Sequence, residues 1–183
     1  MKYTSTTSRM TAISLTPPST PRLRMEPTRS RRNLLDGGWW PRSTDPVAEL
    51  PGLILAIDSL HGPVIRLVLA ADGWETHPRR LGVDGRVLRL GYFASQPASL
   101  LTALCANGDR VDLLVVAPGT AEATAEAAMT LAATAGNLVH APHILAAVNP
   151  PTPAPEGIDA TAEAAWDAEG GQPAPAPRLA RIR

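Results

Sequence analysis

Cys105 is the only cysteine in the chain, so no internal disulfide can form and a reducing compartment is expected. It sits in an apolar run, which favours an inert core residue over a nucleophile. Long apolar stretches are missing as well. No segment approaches the roughly 20 apolar residues that cross a bilayer, and Met1 to Leu15 has no continuous apolar stretch of the kind that directs secretion. A cytoplasmic location is the expectation. Net charge is absent too: 17 basic and 17 acidic residues sum to zero. There is no global field to draw in nucleic acid or membrane.

Reaction motifs are lacking in the same way. The chain has no G-x-S-x-G elbow, no G-x-x-x-x-G-K-[ST] loop, no G-x-G-x-x-G fingerprint and no H-E-x-x-H helix. His140 and His143 are the only close histidine pair, and they have no cysteine or carboxylate neighbours to complete a zinc site. The stretch APGTAEA could offer free N–H groups to an anion, but without the glycine-rich phosphate motif a plain helix cap at Thr120 is the favoured reading. The sequence therefore nominates no catalytic residue, no metal and no cofactor.

What is abundant is proline, 19 residues in 183, and its clustering marks boundaries. Residues 1–20 are rich in Ser, Thr and Pro, and residues 150–183 in Pro, Ala, Gly and acids. Such compositions bury too little apolar surface to offset the entropy of ordering them. They predict a disordered N-terminal tail over 1–20, a single domain over 21–137, and a mostly disordered tail over 138–183 in which 138–149 can dock. Sixteen of the 17 basic residues are arginine. With alanine also abundant, that bias reads as codon usage, so only the placement of arginines carries information. Residues 22–42 hold six of them against Glu26 and Asp36.

Within the domain, RLRME (Arg22 to Glu26) alternates like a strand. Asp45 before Pro46 predicts a helix start, and Val47, Leu50, Leu53, Ile54, Ile57 and Leu60 give the apolar stripe. Pro51 predicts a kink or restart, and Gly62-Pro63 a stop. VIRLVLA (Val64 to Ala70) reads as a central strand closed by a turn at Asp72-Gly73. Hairpins follow at Asp84-Gly85 and Asn107-Gly108, dipeptides that tolerate type I′ turns. Pro118 to Thr120 then lead into an alanine-rich helix to about Ala135. The expected order is β-α-β-β-β-β-β-α, an α+β fold built on an antiparallel meander with two helices on one face. A curved sheet gripping the last helix is the alternative.

The strings LLDGGWWPRS (Leu34 to Ser43), RRLGVDGRVLRLGYF (Arg79 to Phe93) and DLLVVAPGTA (Asp112 to Ala121) resemble an actinobacterial family of uncharacterised proteins, a domain of unknown function. The resemblance spans roughly Arg22 to Leu131. It implies no activity and no site residues.

Two surfaces are candidates. Trp39 and Trp40 are adjacent, and Pro41 holds Trp40 extended, so their rings point to opposite sides. Either both close one end of the core, or the outward ring forms a binding platform with Arg32 or Arg42. Gly37 and Gly38 are read as a sharp turn before them. The second surface comes from the Asp84-Gly85 hairpin, whose register sets Arg80 opposite Arg89 beside Gly82 and Gly91. Opposed like charges call for a nearby carboxylate such as Asp112 or Glu75, or for a bound anion. Asp36, Asp45, Asp72 and Asp84 fall in turns or caps, and Asp112 is read as the partner of Arg110. Ranked, the expectations are a non-catalytic binding domain for a small anion or partner protein, then an enzyme with an unrecognised polar pocket, then a weak single-stranded nucleic-acid binder.

Overall fold

The computed structural model describes residues 10–28 and 33–149. The tail readings over 1–9 and 150–183 lie outside the described residues. Eight strands and three helices follow one another: β1 (Ala12–Ile13), β2 (Leu23–Met25), β3 (Gly37–Trp39), α1 (Pro46–His61), β4 (Val64–Ala70), β5 (Arg80–Val83), β6 (Arg86–Phe93), β7 (Leu100–Cys105), β8 (Arg110–Val115), α2 (Glu122–Ala132) and α3 (Ala141–Val148). They build one sheet in the order β1-β5-β6-β4-β7-β8-β3-β2.

Local signals translate directly. The Asp45 carboxylate accepts from Val47 N at 2.9 Å and caps α1. Gly62, at φ 88°, ends the helix. Asp84 and Gly85, at φ 48° and 72°, make the turn between β5 and β6, and Arg80 pairs with Arg89 as the two-residue loop requires. α1 runs through Pro51 without a restart, because a proline one turn inside the helix removes a single N–H bond.

Five expectations need correction. The sheet is mixed, not an antiparallel meander. Residues 71–79 form a connection long enough to carry β5 past the position of β6, so β4 lies between β6 and β7, parallel to the first and antiparallel to the second. Parallel pairs also join β1 to β5 and β3 to β8. The helices do not share a face. Leu113 and Trp39 join the core cluster of α1, whereas their neighbours Leu114 and Trp40 join that of α2 and α3, and adjacent strand residues point to opposite sides. The sheet does not grip the alanine-rich helix, for among the strands α2 packs mainly on β2, β3 and β8. The Asn107-Gly108 turn is one residue wider than expected, since Leu104 pairs with Arg110. Asn107 is drawn into side-chain bonds with the His61 carbonyl and Asp109 instead of taking a positive φ. The α2 cap is also displaced: Ala121 precedes the helix, and no side chain caps it.

Sequence reading had no strand at β1 or β3. β1 pairs with β5 inside the stretch read as tail, and Ser19 presses its carbonyl against Gly52 of α1. That contact makes a prediction. Intrinsic propensity alone favours Gly52→Ala by about 1 kcal/mol, but a Cβ there collides with the Ser19 backbone. A net loss of stability in urea unfolding is expected. A gain would show that the segment around Ser19 does not rest on α1.

Candidate functional site

Both tryptophans of the pair are buried. Trp39 is 1% exposed and Trp40 7%. Trp39 enters the α1 core and stacks on Trp74 with ring centroids 6.0 Å apart. Trp40 enters the other core, where its Nε1 donates to the Ala117 and Pro118 carbonyls at 3.2 and 3.3 Å. The guanidinium over its ring belongs to Arg22, 3.5 Å from the centroid, and Arg22 also donates to the carbonyls of Trp40 and Pro41. Arg42 instead donates to the Thr20 carbonyl at 2.9 Å. Arg32 lies outside the described residues. Gly37 and Gly38 make no left-handed turn; they lie in β3, where a Cβ would strike the Arg24 backbone and the Met129 backbone respectively. Close packing is what these glycines permit.

The arginine pair is on the surface. Leu67, Leu69, Leu81, Leu88 and Leu90 all join the α1 cluster, so the alternate residues Arg66, Arg80 and Arg89 stand on the opposite face. There α2 and α3 cover mainly the β8-β3-β2 half, and among the described residues no helix covers the β5-β6-β4 half. The parallel pairing of β6 and β4 sets Arg89 beside Arg66, while the hairpin sets Arg80 beside Arg89. Three exposed guanidinium groups therefore form one row across three strands, about 10 Å from end to end at the usual strand spacing. Sequence reading found two of them. Arg66 lies in the run read as a central strand and was not singled out.

The rest of the face suits the row. No acidic residue occurs in β4, β5 or β6. Asp112, the expected neutraliser, is engaged by Arg110 at 2.8 Å and by the Thr102 hydroxyl. Glu75 accepts from Thr44 instead. A Cβ on Gly91 would meet the Phe93 ring at 2.9 Å and the Arg66 guanidinium at 3.4 Å, so this glycine lets ring and guanidinium meet over the strand. Ile13, Val87 and Phe93 are exposed, giving the row an apolar margin. Arg22, Arg24, Arg42, Arg86 and Arg110 each have protein partners. Arg66, Arg79, Arg80 and Arg89 have none among the described residues.

The other polar features have local explanations. Asp36 accepts from Asp112 N at 2.8 Å; burial, and secondarily the Asp112 charge, push its carboxyl above the ordinary range. Tyr92 carries a buried hydroxyl without a hydrogen-bond partner among the described residues, and burial raises its phenol. His140 and His143 line a recess of about 650 Å³ beside Arg110 and Asp112. Among the described residues no group of three or more His, Cys, Asp and Glu side chains could hold a metal ion, and no helix is long and apolar enough to cross a membrane.

Residues 22–132 match the model of a family of unknown function, DUF5994. The chain belongs to that family. The DUF5994 span contains the whole arginine row and both tryptophans of the pair, but leaves out β1 and α3. No curated protein and no solved structure gives a match. Membership in DUF5994 brings no activity with it, so function rests on the geometry.

Proposed function

We propose that this DUF5994 domain is a non-catalytic binding module that holds an anion on the open face of its sheet, with Arg66, Arg80 and Arg89 as the ligands. One observation carries the reading: four neighbouring arginines have no partner among the described residues, three of them in register, on strands without a carboxylate. Like charges directly opposite destabilise a sheet, and a phosphate or carboxylate placed between planar guanidinium forks turns that repulsion into charge-assisted hydrogen bonds. Gly82 and Gly91 let the Ile13 side chain and the Phe93 ring lie close over the backbone beside the row, so an apolar margin flanks the guanidinium groups. The face is open rather than enclosed, which suits a small anion or an anionic group on a partner protein. A cytoplasmic setting belongs to this reading, in keeping with the buried free Cys105.

Sulfate or phosphate should raise the melting temperature more than chloride at matched ionic strength. At ten times the Kd, linkage gives about 1.4 kcal/mol, or roughly 5 °C for a domain of this size. Arg66→Leu and Arg89→Leu should each abolish the difference, whereas Arg24→Leu, which removes the pair with Glu126 at 3.1 Å, should keep it. An identical anion response in all four proteins would defeat the proposal.

A further inference from the structure

Strands β3, β8 and β4 run in the same direction, because β3 is parallel to β8, and β7 is antiparallel to both β8 and β4. Their carboxyl ends therefore open at one end of the sheet. Loops diverging from such ends leave a crevice, the usual place for a ligand in parallel-stranded sheets. Here the crevice is a cavity of about 320 Å³, bounded by Pro41 and Thr44 after β3, Asp72 and Trp74 after β4, Ser99 before β7, and Pro118 after β8. An apolar cavity of about 150 Å³ accepts a benzene ring, so this one has room for a one- or two-ring molecule.

From this geometry we infer that the cavity is a second ligand site, separate from the arginine row and selective for a small aromatic cation such as an arylalkylamine. Three features argue for that class. Trp74 is held by its stack on buried Trp39 at an interplanar angle of 18°, which gives the cavity a flat aromatic wall at little cost in side-chain ordering. Pro41, Val115, Pro118 and Leu145 make the remaining lining largely apolar. The one charged lining residue is Asp72, and no basic residue lines the cavity. Glu75 reinforces the sign nearby, since it bonds the Thr44 hydroxyl at 2.7 Å and the Thr44 carbonyl through its own N–H. A ring fits against Trp74 with its ammonium directed to Asp72. An anion is disfavoured there, opposite to the preference of the sheet face.

Phenethylammonium and 3-phenylpropionate, similar rings of reversed charge, provide the probes, titrated into the full chain and followed by two-dimensional amide and indole NMR. Phenethylammonium should move the Trp74 indole resonance and the amides of Thr44 and Ser99, leaving those of Arg80 and Arg89 in place. 3-Phenylpropionate should bind about five-fold more weakly or worse, the scale of a partly solvated charge pair. Asp72→Asn should weaken the amine by a similar factor without affecting the acid in that way. Ser99→Leu, which fills the cavity, should remove binding of both. Equal affinity for the two charges, an unchanged amine in Asp72→Asn, or a Trp74 indole that does not respond would overturn the assignment. None of these outcomes depends on the sulfate experiment.

Discussion

Trp39→Ala and Trp40→Ala should each cost about 3–5 kcal/mol, the range for removing a buried aromatic side chain. Trp39 leaves a hole among the residues of the α1 core and takes away the support of Trp74. The Trp40 truncation acts in the other core, and it also strips the aromatic surface from under Arg22. Phenylalanine separates the two roles. Trp40→Phe keeps a ring for Arg22 but loses the Nε1–H that serves two carbonyls, an additional cost of about 1 kcal/mol. Trp39 has no indole hydrogen bond of this kind among the described residues, so Trp39→Phe loses volume alone. Denaturant unfolding of the four variants checks the pattern, and a mild effect of either alanine variant would put that ring outside the core.

Gly38→Ala should also be damaging although it adds only a methyl group. That carbon would sit 2.8 Å from the Met129 Cα and about as close to its Cβ and Cγ, at 3.1 and 3.0 Å. Side-chain rotation cannot relieve a clash with the backbone, so α2 must move off the sheet. Overpacking of this kind costs about 1–3 kcal/mol, and an unstrained replacement would instead stabilise by about 0.4–1 kcal/mol through the unfolded chain. Met129→Ala in the same molecule should restore part of the loss and no more, because an alanine at 129 keeps the backbone atom that the new methyl strikes. Full rescue, or a neutral single variant, would mean that α2 is not pressed against β3.

These glycines mark the limit of what the sequence discloses. The helix over 46–61 and the strand over 64–70 were legible because their signals are local: an aspartate cap, an apolar stripe, a C-terminal glycine. The Arg80–Arg89 register followed from a two-residue turn. β3 was not legible, since Gly-Gly-Trp has poor strand propensity and is held extended by β2 and β8 on either side. Strand order failed for a related reason. A turn at Asp72-Gly73 states that the chain reverses, but not which strand it lies beside afterwards. Arg66 was visible as a lone charge in an apolar strand. Its place in the row depends on a parallel pairing between segments more than twenty residues apart, which no local pattern encodes. The cavity at the strand ends is still less accessible, being assembled from four loops, the last residue of β8 and one residue of α3.

The sheet ends in very short strands, two residues in β1 at one side and three in β2 at the other. An unpaired strand edge is a template on which another chain can add, and brevity is one of the ways proteins blunt it. β1 occupies the outer side of Leu81 and Gly82, and β2 covers all of β3, so neither margin offers a long ladder to a second molecule. Among the described residues the eight-stranded sheet is thus poorly suited to grow edge to edge, and at one margin that protection comes from Ala12 and Ile13 alone.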